Sequence, residues 1–284
     1  MTPAPIAALS ATLDRDDPAP RPGDPLPLLW HWLYFLPRHR ESELDLDGHA
    51  RRGEFLPPVP LPRRMYAGGR VEAHSRLHVG DRIERVSRIV DLTQKDGRSG
   101  PLVFVKVRHE ISRRDELVLV EDHDIVYRDR PTSRNLTAAD GDRHHRDRAG
   151  DGLHALPDAA WEREIRPDEV LLFRYSALTF NGYRIHYDRR FAIEAQGYPG
   201  LVVHAPLIAT LLADLLRRHL PQADVSSFVF RAMQPLFDGA AFTLCGRPDE
   251  DRRSVALWAR GPDGERAFEA TALISNPESL IPNP

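Results

Sequence analysis

From Arg64 onward the chain leaves a proline-rich texture and enters short spans in which apolar and polar residues alternate or run apolar. The spans MYAGGRVEAHSRL (65–77), DRIERVSRIVDLTQ (81–94), PLVFVKVRHEIS (101–112) and ELVLVEDHDIVYR (116–128) predict four antiparallel strands. Turn signals such as Val79-Gly80 and Lys95-Asp96-Gly97 separate them. Ahead of them, LPLLWHWLYFL (26–36) is apolar on every side, with Asp24-Pro25 as an opening and Pro37 as a stop, and predicts a helix wrapped by other elements.

A similar order follows in the second half. Leu207, Ile208, Leu211, Leu212, Leu215 and Leu216 recur at helical spacing, with Thr210, Asp214, Arg217 and Arg218 on the other side. Pro206 suits the first helical position and Pro221 the end, so the helix is expected over 206–220. Strands are expected in 226–237, 239–247, 254–260 and 266–276, and another at Leu171 to Leu178. Leu77-His78-Val79-Gly80-Asp81 lies over Leu236-Phe237-Asp238-Gly239-Ala240 as a weak internal repeat, which points to duplication of one sheet-and-helix unit. Between the units, 129–156 is charged and poor in large apolar side chains, as a surface linker would be.

Composition narrows the class without choosing the chemistry. The 284 residues fit one large domain or two of about 130 residues each. With 41% apolar and 29% charged residues the chain reads as a soluble globular protein, and a net charge of −3 gives no reason to expect nucleic acid as a partner. A single cysteine, Cys245, fits a reducing compartment and, inside an apolar strand pattern, a buried structural thiol. The N-terminus carries no secretory pattern, and no apolar run approaches the roughly 20 residues that span a bilayer. A cytoplasmic location is therefore expected. His144 and His145 sit in a salt-rich run without ligand spacing, so no metal is expected.

The candidate chemistry lies between Leu171 and Leu216. A polar turn carries Asn181 and His186, a Tyr198-Pro199-Gly200 turn reads as type II with Gly200 at positive φ, and His204 stands at the mouth of the helix. The unpaired N–H groups of a first helical turn hold an oxygen that gains negative charge; because Pro206 has none, the donors here are those of Ala205, Leu207 and Ile208. His186 is the natural proton-transfer group, being near its unperturbed pKa at neutrality, although a histidine satisfied in a turn is the bland alternative. His204 braces a loop or meets the substrate. Arg184, two residues from His186, could pair with a substrate carboxylate. Tyr175 and Asp188 are the nearby candidates for a second proton-transfer group. Gly68-Gly69 marks a bulge or the close approach of another backbone or a ligand.

The strings SALTFNGYRIHYDRRFA (176–192) and GYPGLVVHAPL (197–207) resemble the hydratase motif of the MaoC-like acyl-thioester hydratases and dehydratases, and most closely their two-hotdog branch. That branch contains the itaconyl-CoA and mesaconyl-C4-CoA hydratases and the mitochondrial 3-hydroxyacyl-thioester dehydratases. The resemblance implies an α+β tandem (double) hotdog, two antiparallel sheets each wrapped around a central helix. The expected division is an N-terminal hotdog without the catalytic motif (1–134), a linker (135–156) and a C-terminal hotdog with it (157–284). It puts the catalytic histidine at His186 and the backbone oxyanion donor, a glycine in the family, at Ala205. Where the broader family has an aspartate, this chain has Asn181, which cannot accept a proton at neutral pH, so the division of labour must differ.

The implied reaction is reversible hydration of an α,β-enoyl-CoA thioester, itaconyl-CoA or mesaconyl-C4-CoA, to citramalyl-CoA. A fatty-acid-synthesis 3-hydroxyacyl-thioester dehydratase, a hotdog thioesterase and a non-catalytic acyl-CoA binder remain as alternatives. His186, Asn181 and Ala205 are expected to carry catalysis, and Arg184, Tyr175, His204 and Gly200 to contact substrate. No cofactor is expected, and assembly into a homodimer is optional because a tandem hotdog already supplies both halves.

Overall fold

In a computed structural model, residues 1–97, 100–129 and 158–277 are described. The linker expected at 135–156, with His144 and His145, lies outside the described residues.

The alternating spans form the strands their periodicity predicts. In chain order these are β1 (Arg63–Ala73), β2 (Ile83–Gly97), β3 (Gly100–Arg113), β4 (Glu116–Arg128), a short β5 (Trp161–Ile165) not expected from the sequence, β6 (Val225–Ala232), β7 (Phe242–Pro248), β8 (Ser254–Arg260) and β9 (Arg266–Ile274). They join into one nine-stranded antiparallel sheet, β2-β3-β4-β1-β6-β9-β8-β7-β5. The two halves meet where β1 pairs with β6, from Gly68↔Arg231 to Glu72↔Ser227. Gly68-Gly69 permits that seam, for a Cβ at Gly68 would stand 2.5 Å from the Phe230 carbonyl oxygen. A register shift falls between Tyr66 and Gly68. The bulge reading holds, and the backbone that approaches closely is a neighbouring strand.

Helix α3 (Ala205–His219) lies in the concave face of the second half. Its apolar positions are buried as expected, yet Thr210 and Asp214, assigned to a solvent face, are buried too. Thr210 donates to the Pro206 carbonyl, and Asp214 accepts from Arg15, Arg163 and Arg218. Pairing lets these polar groups enter a core that amphipathic spacing alone would deny them.

The expectation of a helix in each half fails in the first. Residues 26–36 form only a 3₁₀ turn, Trp30–Leu33. The duplication is nevertheless visible in mirrored hydrogen bonds. Leu26 N–H donates to Leu77 O at 2.7 Å and Val79 N–H to Asp24 O at 2.9 Å, as Val203 N–H does to Leu236 O at 2.8 Å and Asp238 N–H to Leu201 O at 2.9 Å. Gly80 and Gly239 share positive φ. The segment after Leu26 thus stands where α3 begins in the second half. Pro27 and Pro37 confine it, Leu29 sits at φ 68°, and Glu121 captures both His31 Nε2 (3.1 Å) and Trp32 Nε1 (2.9 Å). Without a first-half helix, room is left under the β1–β4 sheet.

Two further elements differ from expectation. A helix, α1 (Pro3–Thr12), opens the chain, where none was expected, and Leu171 to Leu178 is not a strand but part of helix α2 (Glu169–Thr179). Asp168 caps α2 by accepting the Leu171 N–H at 2.7 Å, and Leu172, Tyr175 and Ser176 turn inward at helical spacing. Cys245 is buried, and burial raises its thiol pKa to about 11, as a structural role requires. Among the described residues no helix is long and apolar enough to cross a membrane.

Candidate active site

A cavity of about 2240 Å³ runs between the halves, beneath β1–β4 on one side and beside the start of α3 on the other. Its wall includes His186, Asn181, Tyr175 and Ala205, four of the seven residues expected at the site.

His186 ends a 3₁₀ turn (Arg184–His186) and is buried. Its Nδ1 lies 2.7 Å from the Val202 carbonyl oxygen. A carbonyl only accepts, so Nδ1 carries the hydrogen and Nε2 keeps its lone pair, with no hydrogen-bond partner among the described residues. The ring stacks on His204 at 3.7 Å and meets Tyr183 edge-on at 5.6 Å. Burial lowers the His186 pKa to about 4, with His49 adding to the effect against the Val202 bond. The imidazole is therefore neutral at physiological pH and able to take a proton, and once protonated it is a strong donor.

The turn is held by the first half. Arg184 N–H donates to Asp47 O at 2.9 Å, and the His49 ring lies over Tyr183 at 4.0 Å. The backbones at Gly48 and Gly182 approach so closely that a Cβ on Gly48 would fall 1.9 Å from the Gly182 oxygen. Sequence spacing gives no sign of this contact, which spans more than 130 residues.

Asn181 anchors the other side of the turn. Its Oδ1 accepts the Tyr183 N–H at 3.0 Å and its own N–H donates to Ser176 O at 2.8 Å. Asn181 lines the cavity, and among the described residues no hydrogen bond engages its Nδ2. Ala205 is the first residue of α3, with Pro206 second, one position later than expected. The Ala205 N–H opens the helix beside His186.

The remaining expectations are corrected by their contacts. Arg184 is not in the cavity wall: Nε and Nη2 bind Asp188 Oδ2 at 3.0 and 2.7 Å, Nη1 binds Leu46 O, and the guanidinium covers Phe191. Asp188, so paired, also caps Phe191 N–H and lies off the wall, so it cannot serve as the second proton carrier. Gly200 is buried against Asp238 and is not part of the wall, and positive φ belongs to Gly197 instead, so the type II turn does not form. His204 is wholly buried and outside the wall; its Nε2 meets Ser176 Oγ at 2.8 Å and its ring backs His186, a bracing position. Tyr175 lines the cavity, but its hydroxyl turns to Thr210 Oγ1 at 3.4 Å and burial pushes its pKa upward, so it contributes a wall rather than a proton.

The model of one family, hydroxyacyl-thioester dehydratase type 2, matches residues 29–238. The chain is 46% identical over 273 residues to the mesaconyl-C(4)-CoA hydratase of Chloroflexus aurantiacus, covering 94% of this chain and 90% of that protein. Among solved structures it resembles HtdX from Mycobacterium tuberculosis, with a TM-score of 0.65, 18% identity and 96% of each chain covered. A second protein of that organism, described as a double hotdog fold, matches with a TM-score of 0.54 and 15% identity over 96% of this chain and 92% of that one.

Proposed function

The chain belongs to the hydroxyacyl-thioester dehydratase type 2 family of MaoC-like double hotdog proteins, and from that premise we propose that it hydrates mesaconyl-C4-CoA to citramalyl-CoA. It is a hydro-lyase acting on acyl thioesters. One observation carries the site: a buried, neutral imidazole at His186, its tautomer fixed by Val202 O, lining a cavity beside the first N–H of α3.

In this reading the thioester oxygen accepts the Ala205 N–H, where a helix start favours developing negative charge. Asn181 holds the water through its free Nδ2. His186 Nε2 takes a proton from the water as the oxygen bonds to the β-carbon, and the electron pair of the double bond moves toward the thioester oxygen. When that enolate collapses, the imidazolium returns its proton to the α-carbon. One group both takes and gives, so no second acid is needed and the aspartate replaced by Asn181 is not missed. Hydrogen and hydroxyl then enter from one face.

The division 1–134, 135–156 and 157–284 belongs to the same proposal, supported by the mirrored hydrogen bonds of the halves. Each chain then completes its own site, and a homodimer is not required for turnover. We place the reaction in the cytoplasm, where Cys245 stays reduced.

The test is to mix the protein with mesaconyl-C4-CoA and follow enoyl-thioester absorbance and free thiol together. Loss of absorbance without thiol is expected. Thiol release without loss of the double bond would make the protein a thioesterase and end the hydratase reading.

A further inference from the structure

The cavity wall contains a charge without a counter-charge. Arg63 begins β1, is 8% exposed, and lines the cavity. One nitrogen, Nη2, donates to the Gln196 carbonyl; the guanidinium lies 5.0 Å from the Tyr198 ring centroid; and Nε is buried with no partner. Among the described residues no carboxylate pairs with it. Its neighbours differ. Arg64 stands beside Asp47, Arg231 pairs with Glu269, and Arg85 covers Phe35 from an exposed position. A guanidinium is always charged, and burying it unpaired destabilises a protein, so such a group is kept where a ligand completes it.

Its position is close to the chemistry. Tyr198 packs against the cluster of Tyr183, Ile185 and Val202, which carries the edge-on contact to His186 and the carbonyl that fixes its tautomer. The β-carbon attacked by water in a mesaconyl-type thioester bears a carboxylate, whose charge both needs a partner in a buried site and discourages an incoming oxygen nucleophile.

We propose that Arg63 receives an anionic oxygen group of the substrate, the carboxylate on the β-carbon, and so selects carboxylated enoyl thioesters over plain ones. This rests on the hydratase reading above. It assigns to the half without the catalytic motif the choice of substrate, through an arginine seated on Tyr198 beside the cluster that carries His186, and it replaces the Arg184 role removed by the Asp188 pair. The same fork could instead meet a phosphate of coenzyme A, and the experiment separates the two.

Wild type and Arg63→Met are compared on mesaconyl-C4-CoA, on crotonyl-CoA, which keeps the phosphates and lacks the carboxylate, and on the N-acetylcysteamine thioester of mesaconate, which lacks the phosphates. The expected loss in kcat/KM is about 100-fold on both mesaconyl thioesters, the scale of a charge-assisted contact, with crotonyl-CoA changed less than about threefold. Equal loss on both CoA thioesters with none on the short thioester would assign the arginine to phosphate and overturn the proposal. Equal loss on all three would make it structural and overturn it as well.

Binding to the wild type gives a readout independent of turnover and of the variant's folding. Succinyl-CoA should bind at least about tenfold tighter than its isostere 4-methylpentanoyl-CoA, and equal affinities would overturn the carboxylate role. A wild type that hydrates neither CoA ester but keeps this preference would sink the hydratase reading and leave the anion site standing.

Discussion

Replacing His186 with alanine should lower kcat by about 10³–10⁴, because general acid–base catalysis typically contributes 10²–10⁴ and in the proposed mechanism one imidazole performs both transfers. The loss should fall on kcat more than on KM, since in the proposed mechanism the ring moves protons while Asn181 holds the water and Ala205 the thioester. The fold should survive, because the turn is also held by the Arg184 N–H on Asp47 O and the Tyr183 N–H on Asn181 Oδ1; unchanged circular dichroism checks this. Retained turnover within tenfold of wild type would show that another group moves the proton.

The same ring fixes the pH profile. With its pKa lowered to about 4, His186 remains neutral far below the ordinary histidine range. The acid limb of kcat/KM should therefore lie near pH 4 and not near 6.5. The sign for stability follows the same lowering. Unfolded, the group binds a proton as pH falls through 6.5, while folded it resists until about 4, so its contribution is full above 6.5 and lost progressively between those values. His123, also lowered to about 4 by burial, acts in the same direction. Activity followed from pH 8 to 4, with folding monitored in parallel, separates the two effects; an acid limb at 6.5 with intact fold would contradict the buried neutral base.

The parts of the molecule that were legible in the sequence are those whose physics is local. Alternation in 101–112 and 116–128 gave β3 and β4 because each face of those strands has its own solvent, and the leucine stripe of α3 was readable for the same reason. The motif around His186 told of chemistry through residue types that the turn needs next to one another. The apolar run of α2 resembles a strand, and the signal that makes it a helix is Asp168, an N-cap directly before it. The Arg184–Asp188 pair could also have been read from its spacing, since residues four apart near a helical turn meet. Other facts were not local. That residues 26–36 fail as a helix depends on Glu121, some 90 positions away, and that Arg63 is unpaired depends on what the fold brings beside it and what it does not.

The largest stability effect is expected at Asp214, a position the helical pattern assigned to solvent. Its side chain is 1% exposed, in the middle of α3, and accepts from Arg15 Nη1 at 2.7 Å, Arg163 Nη1 at 2.8 Å and Arg218 Nε at 2.7 Å. These arginines arrive from the segment after α1, from β5 and from the last turn of α3 itself, and Arg163 and Arg218 also donate to the Leu13 carbonyl. One carboxylate thus ties the start of the chain and the edge strand β5 to the central helix. Removing one partner of a buried ion pair costs about 3–5 kcal/mol, because the charges left behind are uncompensated. Here the arginines keep 14–31% of their side chains in contact with solvent and can be partly rehydrated, so Asp214→Ala should cost nearer the lower bound. At this chain length that is a fall in Tm of roughly 5–10 °C. Asp214→Asn, which keeps acceptor geometry and loses charge, should fall between the two, whereas Arg15→Ala alone should cost less because two cations remain. A thermal scan of the three variants decides the matter: a shift below about 2 °C for Asp214→Ala would mean that the network is already solvated, and that α3 is held by its leucines without help from the arm that precedes the sheet.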